Sequence, residues 1–195
     1  MHRRFLVSFL AVPVLLLAMA APTLAAPPLK ESGTQLSFSS YAYDCSGATC
    51  TENGLNAYLV DSETLEVCLD ITTFNWRNNH FVSGESGCTW TDPSALDITA
   101  AFSVTLHETS ITLFDCDRRG CTESRTLTVS AQDSAVGPVF SDSSRGTFSD
   151  GTCTYRYSSS SQSADVAGTM WIAGVAVEQF GSASISQYSV TSRCN

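Results

Sequence analysis

One ten-residue stretch occurs twice in outline. Tyr43-Asp44-Cys45-Ser46-Gly47-Ala48-Thr49-Cys50-Thr51-Glu52 is matched by Phe114-Asp115-Cys116-Asp117-Arg118-Arg119-Gly120-Cys121-Thr122-Glu123, 71 residues further on. In both, an aromatic residue precedes Asp-Cys, four residues intervene, and Cys-Thr-Glu follows. A loop of that length sets the two cysteines opposite one another across a β-hairpin. Opposed α-carbons there lie about 4.5–5.5 Å apart, within disulfide range. Each copy therefore reads as a hairpin tip closed by its own disulfide. The same register puts Asp44 opposite Thr51 and Asp115 opposite Thr122, with each carboxylate placed to accept its neighbour's hydroxyl hydrogen.

The remaining cysteines are Cys68, Cys88, Cys153 and Cys194, and the favoured pairing is Cys68–Cys88 with Cys153–Cys194. An even count in an exported chain implies bridges rather than thiols. Export is read from the first 26 residues. His2-Arg3-Arg4 is followed by an apolar run from Phe5 to Ala20 and then by small residues, the layout of a secretory signal peptide. Residues 27–34 read as a flexible leader and 35–195 as one domain. The expected location is extracellular or periplasmic, with no membrane span once the signal is removed. Zinc on the two Cys-x4-Cys pairs is disfavoured, since zinc needs reduced thiolates, and no other cofactor is implied.

Removing Arg3 and Arg4 leaves eight basic residues (10 − 2) against nineteen acidic ones, a net charge of −11. A surface of that sign repels phosphate backbones, so nucleic acid is not an expected partner. No Asn-x-Ser/Thr sequon occurs.

From Gln35 onward the chain alternates at period two, and helical periodicity is nearly absent. Leu36 and Phe38 change parity to Tyr41, Tyr43 and Cys45, which suggests a bulge at Ser39-Ser40. Asp61-Ser62-Glu63 reads as a turn and Leu65 to Ile71 as a strand. Phe74 to Ser86 reads as irregular, with a turn at Asn78-Asn79. Leu96 to His107 reads as one long strand, turned at Glu108-Thr109-Ser110. Ile111 and Leu113 oppose Leu127 and Val129 in conflicting parity, which requires a bulge between them. Asp133 to Asp150 reads as loop, and Val166 to Val177 as a strand weakened by Gly168 and Gly174. Gly87-Cys88-Thr89-Trp90 is echoed by Gly151-Thr152-Cys153-Thr154-Tyr155. The expectation is an all-β, disulfide-stabilised antiparallel β-sandwich or flattened barrel of about ten strands. An internal two-fold repeat is expected over units 34–105 and 106–180, plus a closing strand.

Function is read less sharply. Trp76, Trp90, Tyr155, Tyr157 and Trp171, near Arg77 and His80, could form an aromatic platform for sugar. The leading expectation is a non-catalytic binding, surface or structural protein whose extracellular ligand is a carbohydrate or another protein. The enzyme alternative is a hydrolase using carboxylates or His80, although no nucleophile elbow accompanies it. A third reading presents Arg118 and Arg119 on a rigid disulfide-closed tip, in the manner of a protease inhibitor. Acid-rich turns near Asp142 and Asp150 match no calcium loop, and no metal ligands are assigned.

Overall fold

The computed structural model describes residues 28–59, 63–78, 80–117 and 120–194. The expected signal peptide, Asp61 and Ser62, Asn79, and both Arg118 and Arg119 lie outside these residues. Ten strands follow in order: β1 (Leu29–Ser46), β2 (Thr49–Leu59), β3 (Leu65–Asn75), β4 (His80–Thr91), β5 (Leu96–Ile98), β6 (Ser103–Asp117), β7 (Gly120–Ala135), β8 (Phe140–Ser149), β9 (Cys153–Ile172) and β10 (Val175–Cys194). The chain is all-β, and its strands pair antiparallel.

Pairing runs β10-β1-β2-β3-β4-β6-β7-β9, and β9 pairs again with β10, so the order returns to its start. On β1, β2, β3, β6, β7 and β9 alternate residues over part of each strand point into this ring and are buried, as a period of two dictates. Phe38, Leu55, Leu65, Val67, Leu69, Phe102, Val104, Leu106, Ile111, Leu113, Val129 and Met170 are fully buried there. Truncating such a leucine to alanine typically destabilises by about 2–5 kcal/mol. β4 meets β6 in one paired row, Ser86 opposite Phe114. A Cβ on Gly87 would meet the backbone of Thr112, so only glycine allows the two strands to approach that closely.

All eight cysteines are bridged: Cys45–Cys50, Cys68–Cys88, Cys116–Cys121 and Cys153–Cys194. Each bridge joins directly opposed residues of neighbouring strands. The registers Asp44↔Thr51 and Asp115↔Thr122 are present. The expected carboxylate bond to Thr51 is not, because its hydroxyl pairs with Thr73 Oγ1 on the other neighbouring strand at 3.1 Å.

Several boundaries differ from the sequence expectation. No bulge occurs at Ser39-Ser40, since β1 holds one register with both neighbours. Ser40 points inward and the tyrosines outward, a pattern made tolerable by a buried partner for Ser40. The long strand from Leu96 is broken by a turn at residues 99–102, where Thr99 N donates to Ser103 O (3.0 Å) and Phe102 takes φ 54°. Alternation survives because a turn of even length preserves parity. Glu108 to Ser110 is strand, not turn, with the register slipping between Leu106 and Thr109. The conflict between Ile111 and Leu127 is resolved by a slip between Leu113 and Phe114 that leaves Ser124 as the extra residue. Residues 80–86 and 140–149 are strand rather than loop. Residues 29–34, read as a leader, open β1. The run through Val177 is two strands joined at Ala173 (φ 49°) and Gly174 (φ 80°). Positive φ at both positions is the signature of a two-residue hairpin turn.

One polar chain crosses the interior. Ser40 Oγ donates to Gln179 Oε1 (2.6 Å), and Gln179 Nε2 donates to Asp133 Oδ2 (2.6 Å). Asp133 Oδ1 has no partner. Burial raises the Asp133 carboxyl to about 6, against a smaller lowering by the Gln179 bond. The folded carboxyl thus holds its proton where the unfolded one releases it. Stability is therefore fully present below about pH 4 and falls as pH rises through about 6, by up to about 3 kcal/mol. Denaturant titrations at pH 4 and pH 7 measure this fall, and Asp133→Asn is expected to flatten it.

Candidate functional site

The twenty-residue strands β9 and β10 pair along their whole length, from Ile172↔Val175 to Cys153↔Cys194. The ring core covers only the half nearest their turn. Beyond it, β8 pairs with β9 over residues 154–163, and the first part of β1 pairs with β10. These segments form an open four-stranded sheet in the order β8-β9-β10-β1. No residue of 29–36, 140–149, 153–163 or 184–194 is buried. Both faces meet solvent, so the core gives no reason for their composition.

The outer face carries aromatic rings in sequence. Phe148 and Tyr155 are directly opposed and stacked, with ring centroids 4.7 Å apart. Tyr157 follows two residues along β9, and its ring lies where a Cβ on the opposed Gly146 would be. Tyr188 lies over the opposed Gly33 in the same way, its ring 2.8 Å from that position. Phe140 stands exposed further along β8. A phenol laid over a glycine is held flat against the sheet, with its other π-face outward.

Acidic groups border this row. Tyr155 donates from its hydroxyl to Asp150 Oδ2 (3.1 Å), and Tyr188 from its own to Glu31 Oε1 (3.5 Å). Backbone N–H donation from Cys153 and Thr152 holds the Asp150 carboxyl below its usual range. That carboxylate in turn raises the Tyr155 phenol above its usual value. Serines fill the intervening positions, with Ser144, Ser159, Ser161, Ser163, Ser184 and Ser186 on this face.

The tryptophans singled out in the sequence are not brought together. Trp76 sits in the β3–β4 turn and Trp90 near the other end of β4. The nine residue steps along β3 from Glu66, opposite Trp90, to Asn75, opposite His80, make that separation about 30 Å. Trp76 clamps the first disulfide tip: its Nε1 donates to Gly47 O and its backbone N to Ala48 O, both at 3.1 Å. Arg77 covers its ring at 5.6 Å. His80 is exposed beside them, its backbone N bonded to Asn78 Oδ1 (3.2 Å). Trp90 is exposed on the outer face, opposite Glu66 and one strand from Tyr58, whose hydroxyl donates to Glu66. Glu66 also neighbours Cys68 and Cys88, but both sulfurs are in a disulfide and offer no thiolate.

Trp171 lines a shallow groove of about 490 Å³ with Thr105, His107, Thr128, Ser130 and Gln132. His107 Nε2 lies 3.5 Å from Asp97 Oδ2, both well exposed. Period two along Leu96 to His107 puts both residues on one polar face, and the turn at residues 99–102 folds them together. Among the described residues no hydroxyl is hydrogen-bonded to the His107 ring, so the pair lacks a placed nucleophile. Phe148 and Tyr188 were missed. The signal for them was an aromatic residue opposite a glycine, which requires the register to be known.

The chain matches no protein-family model, no characterised protein and no solved structure. Four disulfides require an oxidising compartment to form and persist. Among the described residues no helix is long and apolar enough to cross a membrane.

Replacing Asp150 by Asn is expected to bring the Tyr155 phenol back toward its ordinary value. An alkaline NMR titration of the tyrosine rings in both proteins measures the change.

Proposed function

We propose that this is a secreted, non-catalytic binding protein whose ligand is a carbohydrate held against the aromatic outer face of the open sheet. The supporting observation is the row Phe148, Tyr155, Tyr157 and Tyr188, the first two stacked on each other and the last two flattened on glycines, in a part of the molecule that buries no core. Flat π-faces receive the apolar faces of sugar rings, while the Asp150 and Glu31 carboxylates and the nearby serines accept from and donate to hydroxyls. The rings are fixed before binding, which lowers the entropy lost on association. We read the strand ring beneath as a flattened barrel, with the two disulfide-tipped hairpins as copies of one unit. In this reading the tips are scaffold: the first is locked by Trp76, and the aromatic platform lies elsewhere.

A glycan array followed by titration calorimetry tests the proposal. Tyr155→Ala with Tyr157→Ala is expected to weaken the best glycan at least about tenfold, and Trp90→Ala to leave it unchanged. Loss on Trp90→Ala or Trp76→Ala alone would move the site to β4 and its turn. Absence of any glycan ligand, or substrate turnover abolished by His80→Ala, would overturn the reading.

A further inference from the structure

The other face of the open sheet continues the inner side of the ring. Leu36 and Phe38 turn inward on β1, so period two puts Thr34, Ser32 and Lys30 on the same side. The registers then add Arg193 and Thr191 from β10, Arg156 and Thr154 from β9, and Arg145 and Thr147 from β8. Arg145, Arg156 and Arg193 step diagonally across three adjacent strands, and Lys30 is the diagonal neighbour of Arg193. Such neighbours are about 7–8 Å apart. Four of the eight cations outside the signal segment thus share one face of a chain of net charge −11 (8 − 19).

No acidic residue offsets them there. Glu31 and Asp142 occupy the outer face by register. Among the described residues the ion pairs are His107–Asp97 and Arg125–Glu85, and neither involves these four cations. Clustered like charges on a sheet destabilise it. Protection of open strand edges could account for Lys30 on β1 and Arg145 on β8. It does not account for Arg156 and Arg193, which lie on the two inner strands. Apart from Gln162, Gln187 and the apolar Leu36 and Ile185 at the ring mouth, the rest of this face is serine and threonine, among them Ser32, Ser143, Thr147, Thr154, Ser158 and Thr191.

We propose that this face binds a carboxylated or sulfated polysaccharide, its anions taken by Lys30, Arg145, Arg156 and Arg193 and its ring hydroxyls by the serines and threonines. The surface is flat and open, suited to an extended chain rather than an enclosed small molecule. It carries no aromatic ring to stack a nucleobase. Its apolar residues, Leu36 and Ile185, are half-buried at the ring mouth, so nothing is offered for insertion into a lipid surface. Guanidinium groups pair with planar carboxylates and with sulfates through two donors at once. The proposal concerns the face opposite the aromatic row and stands independently of it.

Binding of the full mature protein to polygalacturonate and to dextran sulfate, measured by interferometry, tests it. Affinity for at least one polymer is expected to fall about tenfold or more when salt rises from about 50 to about 200 mM, as counterion release requires. The triple variant Arg145→Gln, Arg156→Gln, Arg193→Gln is expected to bind at least tenfold more weakly with an unchanged circular dichroism spectrum. Arg125→Gln, which removes one charge elsewhere, is expected to bind as the parent does. The two polymers separate carboxylate from sulfate as the recognised group. Retained binding by the triple variant, or no binding of either polymer at low salt, would overturn the proposal. So would binding to anionic vesicles alone, or self-association that the triple variant abolishes, which would make a second copy the occupant.

Discussion

The structure depends on the pairing of β9 with β10. Their ladder runs twenty residues on each side, but the apolar interior reaches only about half that far. The alternation shows the limit: Ala164, Val166 and Met170 are buried on β9, whereas Thr154, Arg156, Ser158 and Ser160 on the same parity are exposed. Backbone hydrogen bonding is indifferent to side-chain polarity, so the ladder continues where the core stops. The Cys153–Cys194 bridge ties its far end. The β1 and β8 segments then add to a sheet that already exists. The result is a surface held rigid by main-chain bonds, with side chains released from packing.

Within the ring, tight closure is combined with a polar thread. Ser40, Gln179 and Asp133 come from β1, β10 and β7, three strands whose closure makes the ring continuous through β9. Each bond satisfies a group whose burial would otherwise be unfavourable. The thread ends on Asp133 Oδ1, which faces Gly168 on the opposed strand, where a Cβ would meet it. Glycine at 168 and a partly satisfied carboxyl at 133 are therefore one feature: the strands approach too closely for a side chain, and one oxygen is left without a donor.

The open sheet separates two chemistries by parity alone. Tyr155 and Tyr157 alternate with Thr154 and Arg156 along β9, and Tyr188 with Ser189 on β10. One face collects rings and carboxylates, the other cations and hydroxyls. A one-residue slip of β8 or β1 would mix them. The glycines opposite Tyr157 and Tyr188 fit only the observed register, so the aromatic contacts also help to fix it.

Much of the fold was legible in the residues. Spacing alone put Cys45 opposite Cys50 and Cys116 opposite Cys121, and alternation gave the all-β class and most inward positions. The Ile111–Leu127 conflict correctly required a bulge. Such properties are local, set by a two-residue period and the reach of a disulfide. The errors arose where locality fails. A turn of even length at residues 99–102 hid inside unbroken alternation. Serine-rich β8 and the first residues of β1 looked like loop and leader, because their strand character comes from main-chain pairing to partners far along the chain. For the same reason Trp76 and Trp90 invited grouping although about 30 Å separates them, while Phe148, Tyr188 and the four-cation face went unseen. The sequence by itself determined which residues could face inward and which cysteines could meet. Only the tertiary structure decided that the longest strands outrun the core, and register across four strands then decided which exposed side chains share a face.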